Sequence, residues 1–530
     1  MTNSIEEIED AEVMFVIGSN TTEAHPVLAL RMKKAMRRGA KLIVADPRRT
    51  WLAERATIHL PLRPGTDIPL VNAMAHVILE EGLEDQDYIN THTENFEALR
   101  DAVSKWTPEK AAEVCHVSAD DIREAARIYA THEKSGIYYT LGITEHICGV
   151  DNVRGLSNLA LLTGHIGVPS AGVNPLRGQN NVQGCNDVGN NPVYLPGYQE
   201  VANDEVRERI GKRWGVKLSK VPGKRLDQMM DGLHDGTLRA FYVMGEDPAV
   251  SEPNANLVDK GLAKLDFVVC QDIFLTDTAE RFAHVVLPAT CFAEKEGTFT
   301  NSDRRVQRVR KAVEPPGEAK EDLWILHEVA RHLGADWGDA NPEEVWNEFA
   351  DVSPRFFGIR YDRIEEEGLQ WPCPDLDHPG TIYLHKDGPM RGKGVFYGLD
   401  HVPPWEEPDQ EFPFLLTTGR TLYHYNAATM TRRSKGNMDK QSRCHLEISP
   451  DDARDLGLSD DAPIKIQSRR GEVVANLKIT DAVHPGVLWM PMHYAEARAN
   501  LLTGDGKDPL IGTPEYKVTA VRLVPQSVPV

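Results

Sequence analysis

The sequence predicts an α/β chain: two pseudo-symmetric nucleotide-binding α/β domains followed by a C-terminal β-barrel domain. Three observations carry this expectation. A strand–loop–helix–strand unit opens the chain, a second such unit follows at a nearly constant offset, and from about Phe412 the pattern changes to short strands. In the first unit, Val13 to Ile17 is an apolar run that stops at Gly18-Ser19-Asn20. Pro26 then opens an alternating apolar and basic segment to Arg38, and Lys41 to Ala45 is a second apolar run that stops at Asp46-Pro47-Arg48-Arg49. Short apolar runs closed by turn formers read as buried strands, and a strand–helix–strand unit offers its carboxyl edge to nucleotides. The glycine spacing is not G-x-G-x-x-G, so this unit alone is a weak signal.

The repeat is the stronger one. Phe241 to Gly245, Glu246-Asp247-Pro248 and Phe267 to Asp272 follow the order of the first unit. Gly18 and Gly245 lie 227 residues apart, Asp46 and Asp272 lie 226 apart, and Pro61 and Pro288 lie 227 apart. Each copy then reaches a Gly-Thr pair, at Gly65-Thr66 and at Gly297-Thr298. Two similar halves would bind two similar nucleotides about a pseudo-twofold; convergence on common α/β local sequence is the alternative.

Between the copies, Asp67 to Gly82, Ser118 to Thr131 and Asn152 to Gly164 carry helical apolar stripes that can cover the first sheet, and Ser135 to Leu141 is a further strand. A helix is expected from about Glu321 to Leu333, carrying Asp322. Pro354 to Pro408 is rich in proline and acid without sustained periodicity and reads as a wrapping segment and linker. Beyond it, FPFLLTTG, APIKIQS, EVVANLKI and GVLWMPM are short strands, Ser468 to Gly471 suits a hairpin turn, and Pro450 to Leu456 a short helix. The expected domains are 1–178, 179–400 and 401–530.

Composition narrows the partners. A net charge of -21 disfavours nucleic acid and anionic lipid. No apolar run approaches the ~20 residues a membrane span needs. The seven cysteines are scattered with no Cys-x-x-Cys pair, which leaves no recognisable zinc or iron–sulfur site and no disulfide framework. The acidic N-terminal segment lacks the shape of a signal peptide, so cytoplasmic is the default location.

The segment Val173 to Gly189, VNPLRGQNNVQGCNDVG, has neither a strand nor a helix period and reads as a loop. It sets Arg177 beside Gln179, Asn180, Asn181 and Gln183, with Gly178 and Gly184 permitting close backbone approach. A guanidinium fork matches a carboxylate, and amides pair with the edge of a heterocycle. This is a ligand-facing composition, and a Gly/Asn-rich surface turn is the plainer alternative.

Together with Pro196-Gly197-Tyr198-Gln199, this segment resembles the molybdenum or tungsten bis-pyranopterin oxidoreductases of the dimethyl sulfoxide reductase superfamily, and within them the formate dehydrogenase catalytic subunit. The resemblance runs from Met1 to the end of the chain. It implies that each α/β domain holds the guanine end of one pterin guanine dinucleotide and that a barrel of double-psi type caps both. Arg177 would orient formate over the metal, and Gln179 would contact a pterin. By the same resemblance Gly18, Ser19, Asn20, Glu23, His25, Asp46, Arg48, Gly65, Asp67 and Gly142 contact cofactor in the first domain. Gly245, Asp247, Gln271, Asp272, Lys295 and Asp322 do so in the second, and Thr418, Gly419, Arg420, His424, Asn500 and Lys517 in the barrel. Any single Asp among them could instead cap a helix. Leu141 and Glu145 depart from the Met and Gln often found there in relatives.

In the family the metal ligand is a cysteine or selenocysteine followed by histidine, and electrons leave through a [4Fe-4S] cluster. Both lie N-terminal to the region matched here, so no metal ligand is assigned in this chain, and Cys115-His116 and Cys444-His445 are read as structural. The resemblance implies the C-terminal portion of a formate dehydrogenase catalytic subunit of anaerobic metabolism, with iron–sulfur or diaphorase electron-transfer subunits as partners. The alternatives are an oxyanion reductase of the same fold, such as nitrate reductase, and a non-catalytic subunit or remnant.

Overall fold

A computed structural model describes residues 1–526. The described chain divides into two compact units: residues 1–176, 250–258 and 383–526 form one, and Arg177–Ala249 with Asp259–Ile382 form the other.

The first unit contains a five-stranded parallel sheet of β1 (Val13–Ile17), β2 (Lys41–Ala45), β3 (Ile58–Leu60), β4 (Ser135–Tyr139) and β5 (Gly172–Pro175), in the order β3-β2-β1-β4-β5. Alternate residues of β1 and β2 serve two cores. Phe15, Ile17 and Ile43 pack with Met74, Ile122 and Leu159, whereas Met14, Val16, Leu42 and Val44 pack with Leu28 and Met32. Both faces of the sheet are therefore covered, which is why its central strands are continuous apolar runs rather than alternating ones. The covering helices are α1 (Thr21–Ala24), α2 (Pro26–Arg37), α3 (Asp67–Glu80), α4 (Ala119–Ala130) and α5 (Gly149–Leu162). Pro26 opens α2, where its missing N–H costs nothing, and the Ser118 side chain accepts the Asp121 N–H to cap α4.

The second unit repeats the opening motif. Strands β6 (Ala240–Met244), β7 (Phe267–Asp272) and β8 (Val285–Pro288) are parallel in the order β8-β7-β6. The Gly18 N–H donates to the Ala45 carbonyl at 2.9 Å, and the Gly245 N–H donates to the Gln271 carbonyl at 2.9 Å. Ala45 sits opposite Leu60 as Gln271 sits opposite Leu287. The offset seen in the sequence is thus a register shared by two sheets. An antiparallel group, β9 (Gly297–Thr300), β10 (Arg305–Val309) and β11 (Leu369–Gln370), follows.

The barrel closes from six strands: β12 (Phe414–Gly419), β13 (His445–Ile448), β14 (Pro463–Gln467), β15 (Glu472–Ile479), β16 (Val487–Pro491) and β17 (Thr519–Pro525), in the order β12-β16-β13-β15-β14-β17. Gln467 pairs with Glu472 across the expected Ser468–Gly471 turn. Inward residues Leu416, Leu446, Ile448, Ile464, Ile466, Leu477 and Leu488 fill it.

Two expectations are corrected. Val173 to Gly189 is not all loop: β5 occupies its start and α6 (Val182–Asp187) its end. Asn181 takes a left-handed conformation (φ 61) and opens this helix, whose inward face is Gln183, Gly184 and Asp187, so no apolar stripe announces it. Of the wrapping segment and linker expected at Pro354 to Pro408, the structure shows the wrapping part, and the segment is packed more fully than a linker. Phe356, Ile359, Tyr361, Ile364, Trp371 and Cys373 build a core with Val306, Trp346 and Phe349, and Phe396 joins the first unit's core. Among the described residues, no helix is long and apolar enough to cross a membrane.

Candidate functional site

At the carboxyl edge of the first sheet, β1 ends in Gly18 (φ +56), whose carbonyl accepts the Gly142 N–H at 3.2 Å and the Thr140 hydroxyl at 2.7 Å. The two glycine backbones nearly touch: a Cβ on Gly18 would stand 2.7 Å from the Gly142 carbonyl carbon, and one on Gly142 2.6 Å from Gly18 Cα. Ser19 is buried with its hydroxyl 2.9 Å from that of Thr21. The Asn20 carbonyl receives the Glu23 and Ala24 N–H groups, and His25 precedes α2.

After β2, the Asp46 carboxylate accepts the Arg48 N–H at 2.9 Å, and burial pushes the carboxyl up to about 6. Arg48 forks onto Glu447 of β13, with Nε and Nη2 at 2.7 and 2.8 Å, and its guanidinium lies 3.9 Å over the Trp489 ring. Burial alone would raise the Glu447 carboxyl, but Arg48 and Lys478 hold it below the usual carboxylate range. Burial likewise raises Glu23, against the pull of Arg48. Arg48 is therefore a strut from the sheet edge to the barrel, its fork already occupied by a carboxylate.

Gly65 (φ +84) packs against Pro404. Asp67 opens α3 and is buried; burial raises its carboxyl, with His146 Nε2 3.9 Å away drawing it back. On the other side of His146, Glu515 lies 3.7 Å from Nδ1. Burial would depress this imidazole, but Glu515 and Asp67 together outweigh it and hold it above its ordinary value.

The barrel's loops reach the same edge. Lys517 Nζ donates to the Thr418 carbonyl at 3.2 Å and to Glu145 at 2.9 Å, and the Thr418 hydroxyl donates to the Tyr516 carbonyl. Gly419 leaves room for the Trp489 indole, which a Cβ would meet at 2.5 Å. Arg420 donates to the carbonyls of His424 and Ala24 at 2.8 and 3.1 Å, and burial lowers its pKa. His424 is buried between Thr431 and the Gln441 carbonyl, and Asn500 donates to the carbonyls of Val250 and Ser251. The structure thus brings Gly18, Ser19, Asn20, Glu23, Asp46, Arg48 and Gly142 together with Thr418, Arg420 and Lys517.

In the second unit, Gln271 donates to Asp322 at 2.7 Å and accepts the Tyr242 hydroxyl at 2.6 Å, while Lys295 pairs with the other Asp322 oxygen. These three form one cluster at the carboxyl edge of β7. Asp247 stands apart: its carboxylate accepts the Thr278 N–H and hydroxyl at 2.9 and 2.7 Å, at the start of α7 (Asp277–Phe282). Asp272 accepts the N–H groups of its own turn, Ile273 and Phe274, and burial raises its carboxyl. Asp322 opens α8 (Asp322–His332).

Arg177 is exposed. Its N–H donates to the Ser302 hydroxyl at 3.1 Å and its Nε to Gln183 Oε1 at 3.1 Å. Gln179 and Gly178 are exposed beside it, and the Asn181 side chain accepts the Thr300 N–H at 2.9 Å.

Sequence reasoning missed Glu447, Trp489, Glu515, His493, Asp187 and Trp371. His493 is fully buried, 3.0 Å from the Thr421 hydroxyl and 4.9 Å ring to ring from His424, and burial takes it down to about 3. Only Asp187 had a local signal, its four-residue spacing from Gln183. In the two Cys-His pairs both cysteines are buried. Burial pushes both thiols up to about 12, Cys115 contacts the Thr66 carbonyl, and His116 is a left-handed helix cap (φ 60).

These residues suit an anionic dinucleotide. Gly178, Gly245 and Gly297 face open space where a Cβ would stand, so a ligand can approach the backbone there. In the first unit Lys517 and Arg420 supply cations, and in the second unit Lys295 and Arg177 do; a half-buried carboxylate such as Asp46 is costly unless donors meet it. Among the described residues, no three His, Cys, Asp or Glu side chains are arranged to hold a metal ion.

Comparison with known proteins gives the same picture. A family model described as "Molybdopterin oxidoreductase" matches residues 1–332, and one described as "Molydopterin dinucleotide binding domain" matches 414–520. The chain is 45% identical over 529 residues to the F420-dependent formate dehydrogenase subunit alpha of Methanocaldococcus jannaschii, covering 99% of this chain and 78% of that protein. Over 536 residues it is 39% identical to formate dehydrogenase H of Escherichia coli, covering 99% and 74%. Among solved structures, acetylene hydratase from Pelobacter acetylenicus matches 98% of this chain and 81% of its own with a TM-score of 0.77 at 21% identity, a likeness of fold. With one family model spanning more than half its length and such relatives along nearly all of it, the chain belongs to the molybdopterin oxidoreductase family.

Proposed function

We propose that this chain is the C-terminal portion of the catalytic subunit of a formate dehydrogenase, which oxidises formate to carbon dioxide, a proton and two electrons, reversibly, once joined to the part that carries the metal ligand and cluster. The carrying observation is Arg177, an exposed guanidinium tethered through Nε in a chain 45% identical along its length to a protein of that name. A molybdenum or tungsten bis-pyranopterin guanine dinucleotide supplies the two-electron acceptor when bound. In the first unit Ser19, Asn20, Asp46, Gly18 and Gly142, with Thr418, Arg420 and Lys517, would hold one dinucleotide. In the second, Gln271, Lys295 and Asp322 would hold the other, with Gln179 on a pterin. Arg177 binds and orients the formate carboxylate by charge-assisted hydrogen bonds.

Electron-transfer subunits of iron–sulfur or diaphorase type would take the electrons onward; the designation "subunit alpha" of the relatives supports partner chains. We also propose 1–178, 179–400 and 401–530 as the sequence domains, supported by the two parallel sheets and the barrel, with residues 383–400 packing into the first unit.

The test is formate-dependent dye reduction by the holoprotein. Arg177→Ala is expected to lower kcat/KM for formate by about 100- to 1,000-fold, two charge-assisted hydrogen bonds' worth, with metal and pterin content unchanged. Equal loss of cofactor and activity contradicts the assigned role.

A further inference from the structure

From the hydrogen bonds around α6 we infer that Asp187 is a positioning residue for Arg177, acting through the side-chain amide of Gln183. The inference rests on the formate reading for its kinetic consequence but not for its geometry.

Gln183 and Asp187 lie one turn apart on the buried face of α6. Three donors converge on the one carboxylate: Gln183 Nε2 at 2.8 Å and the Tyr198 hydroxyl at 2.7 Å reach Oδ1, and Trp371 Nε1 reaches Oδ2 at 2.9 Å. Tyr198 also lies 2.9 Å from Gln183 Nε2. The ring of Trp371 packs on Phe356 and Tyr198, so this acceptor is fixed to the aromatic core.

A side-chain amide has one donating and one accepting end, and its orientation follows from its partners. With Nε2 committed to Asp187, only Oε1 can face Arg177, where it accepts the Nε–H at 3.1 Å. Turned over, the amide would set its NH2 against a guanidinium N–H and its carbonyl against a carboxylate, losing both bonds at once. Asp187 thereby selects one amide orientation, and that orientation fixes the plane of the guanidinium that meets substrate. Burial raises the Asp187 carboxyl to about 6, opposed by the Tyr198, Gln183 and Trp371 hydrogen bonds, so at neutral pH it is the acceptor this arrangement needs.

The test uses the holoprotein. Asp187→Asn replaces one acceptor oxygen by a donor and is expected to raise KM for formate about tenfold, with kcat changing less than about threefold. Gln183→Leu should raise KM to a similar extent. The double variant should be no worse than Gln183→Leu alone, because Asp187 acts through Gln183. Additive losses, or an unchanged KM in Asp187→Asn with full cofactor, overturn the proposal. Should Asp187→Asn not fold, Tyr198→Phe, which removes a hydroxyl shared by Gln183 and Asp187, replaces it in the same cycle with an expected KM rise of about two- to threefold.

A second readout needs no turnover. Labelling of Arg177 by phenylglyoxal without formate, followed by peptide mass spectrometry, should run several-fold faster in Asp187→Asn and Gln183→Leu than in the wild type. Equal rates overturn the positioning role. A fully loaded wild type that does not oxidise formate overturns the functional reading, and labelling then still decides the positioning role.

Discussion

At the scale of single residues, the groups proposed to meet a ligand differ from those that hold the cradle. Arg48 and Glu447 are nearly buried, with side-chain exposures of 14% and 2%, and their pairing is bidentate. Glu447→Gln removes the charged partner of the Arg48 fork, leaving only Glu23 and Asp46 as nearby carboxylates, and should cost about 3 kcal/mol in chemical denaturation. His493 and His165 are both depressed by burial, to about 3 and about 4. Neutral when folded but protonated below about 6.5 when unfolded, they contribute stability that is present above that pH and lost as pH falls toward those values. The raised Asp46 carboxyl works oppositely, its cost easing as pH falls through about 6. His493→Gln should therefore shrink the drop in denaturation midpoint between pH 7 and pH 5 relative to the wild type. Arg177 stands out in the sequence because its amide neighbours are adjacent to it. Glu447 and Trp489 were not, since they lie some 400 residues from Arg48 and barrel strands carry no mark of what they face. Asp247 illustrates the reverse: a strand-end carboxylate read as a ligand contact has its oxygens on the start of α7.

At the scale of elements, the repeat makes a paired prediction. Gly18 and Gly245 occupy equivalent strand ends with φ of +56 and +64, but only Gly18 faces a neighbouring backbone. Gly245→Ala should cost about 1–2 kcal/mol, the left-handed penalty alone. Gly18→Ala adds a clash with Gly142 that neither backbone can relieve cheaply, and should cost clearly more, roughly 3 kcal/mol or above, in the same denaturation assay. Strands β1 and β2 and helices α3, α4 and α5 were legible because burial on both faces, or along one stripe, writes a period into the sequence, whereas the partly exposed β6 and β7 were legible because they repeat the order of the first unit. α6 was not. Its inward face is a polar network, so it carries the composition of a loop while making the hydrogen bonds of a helix.

At the scale of the molecule, the first parallel sheet and the barrel share one compact unit although some 240 residues separate β5 from β12. Arg48 with Glu447, Lys517 with Glu145, and Arg420 with the Ala24 carbonyl tie them. Periodicity could locate both parts but not that tie, which depends on pairs far apart in the chain. The second unit carries the Gln271–Asp322–Lys295 cluster and the Arg177 network on its own scaffold. We propose that such a scaffold serves formate oxidation, with Arg177 gripping the substrate. The most direct measurement is formate-dependent dye reduction by wild-type and Arg177→Ala holoprotein, with metal and pterin quantified in the same samples. The account predicts turnover in the wild type and its near-complete loss in the variant at equal cofactor content. Equal turnover in the two, or a fully loaded wild type inert to formate, would contradict it.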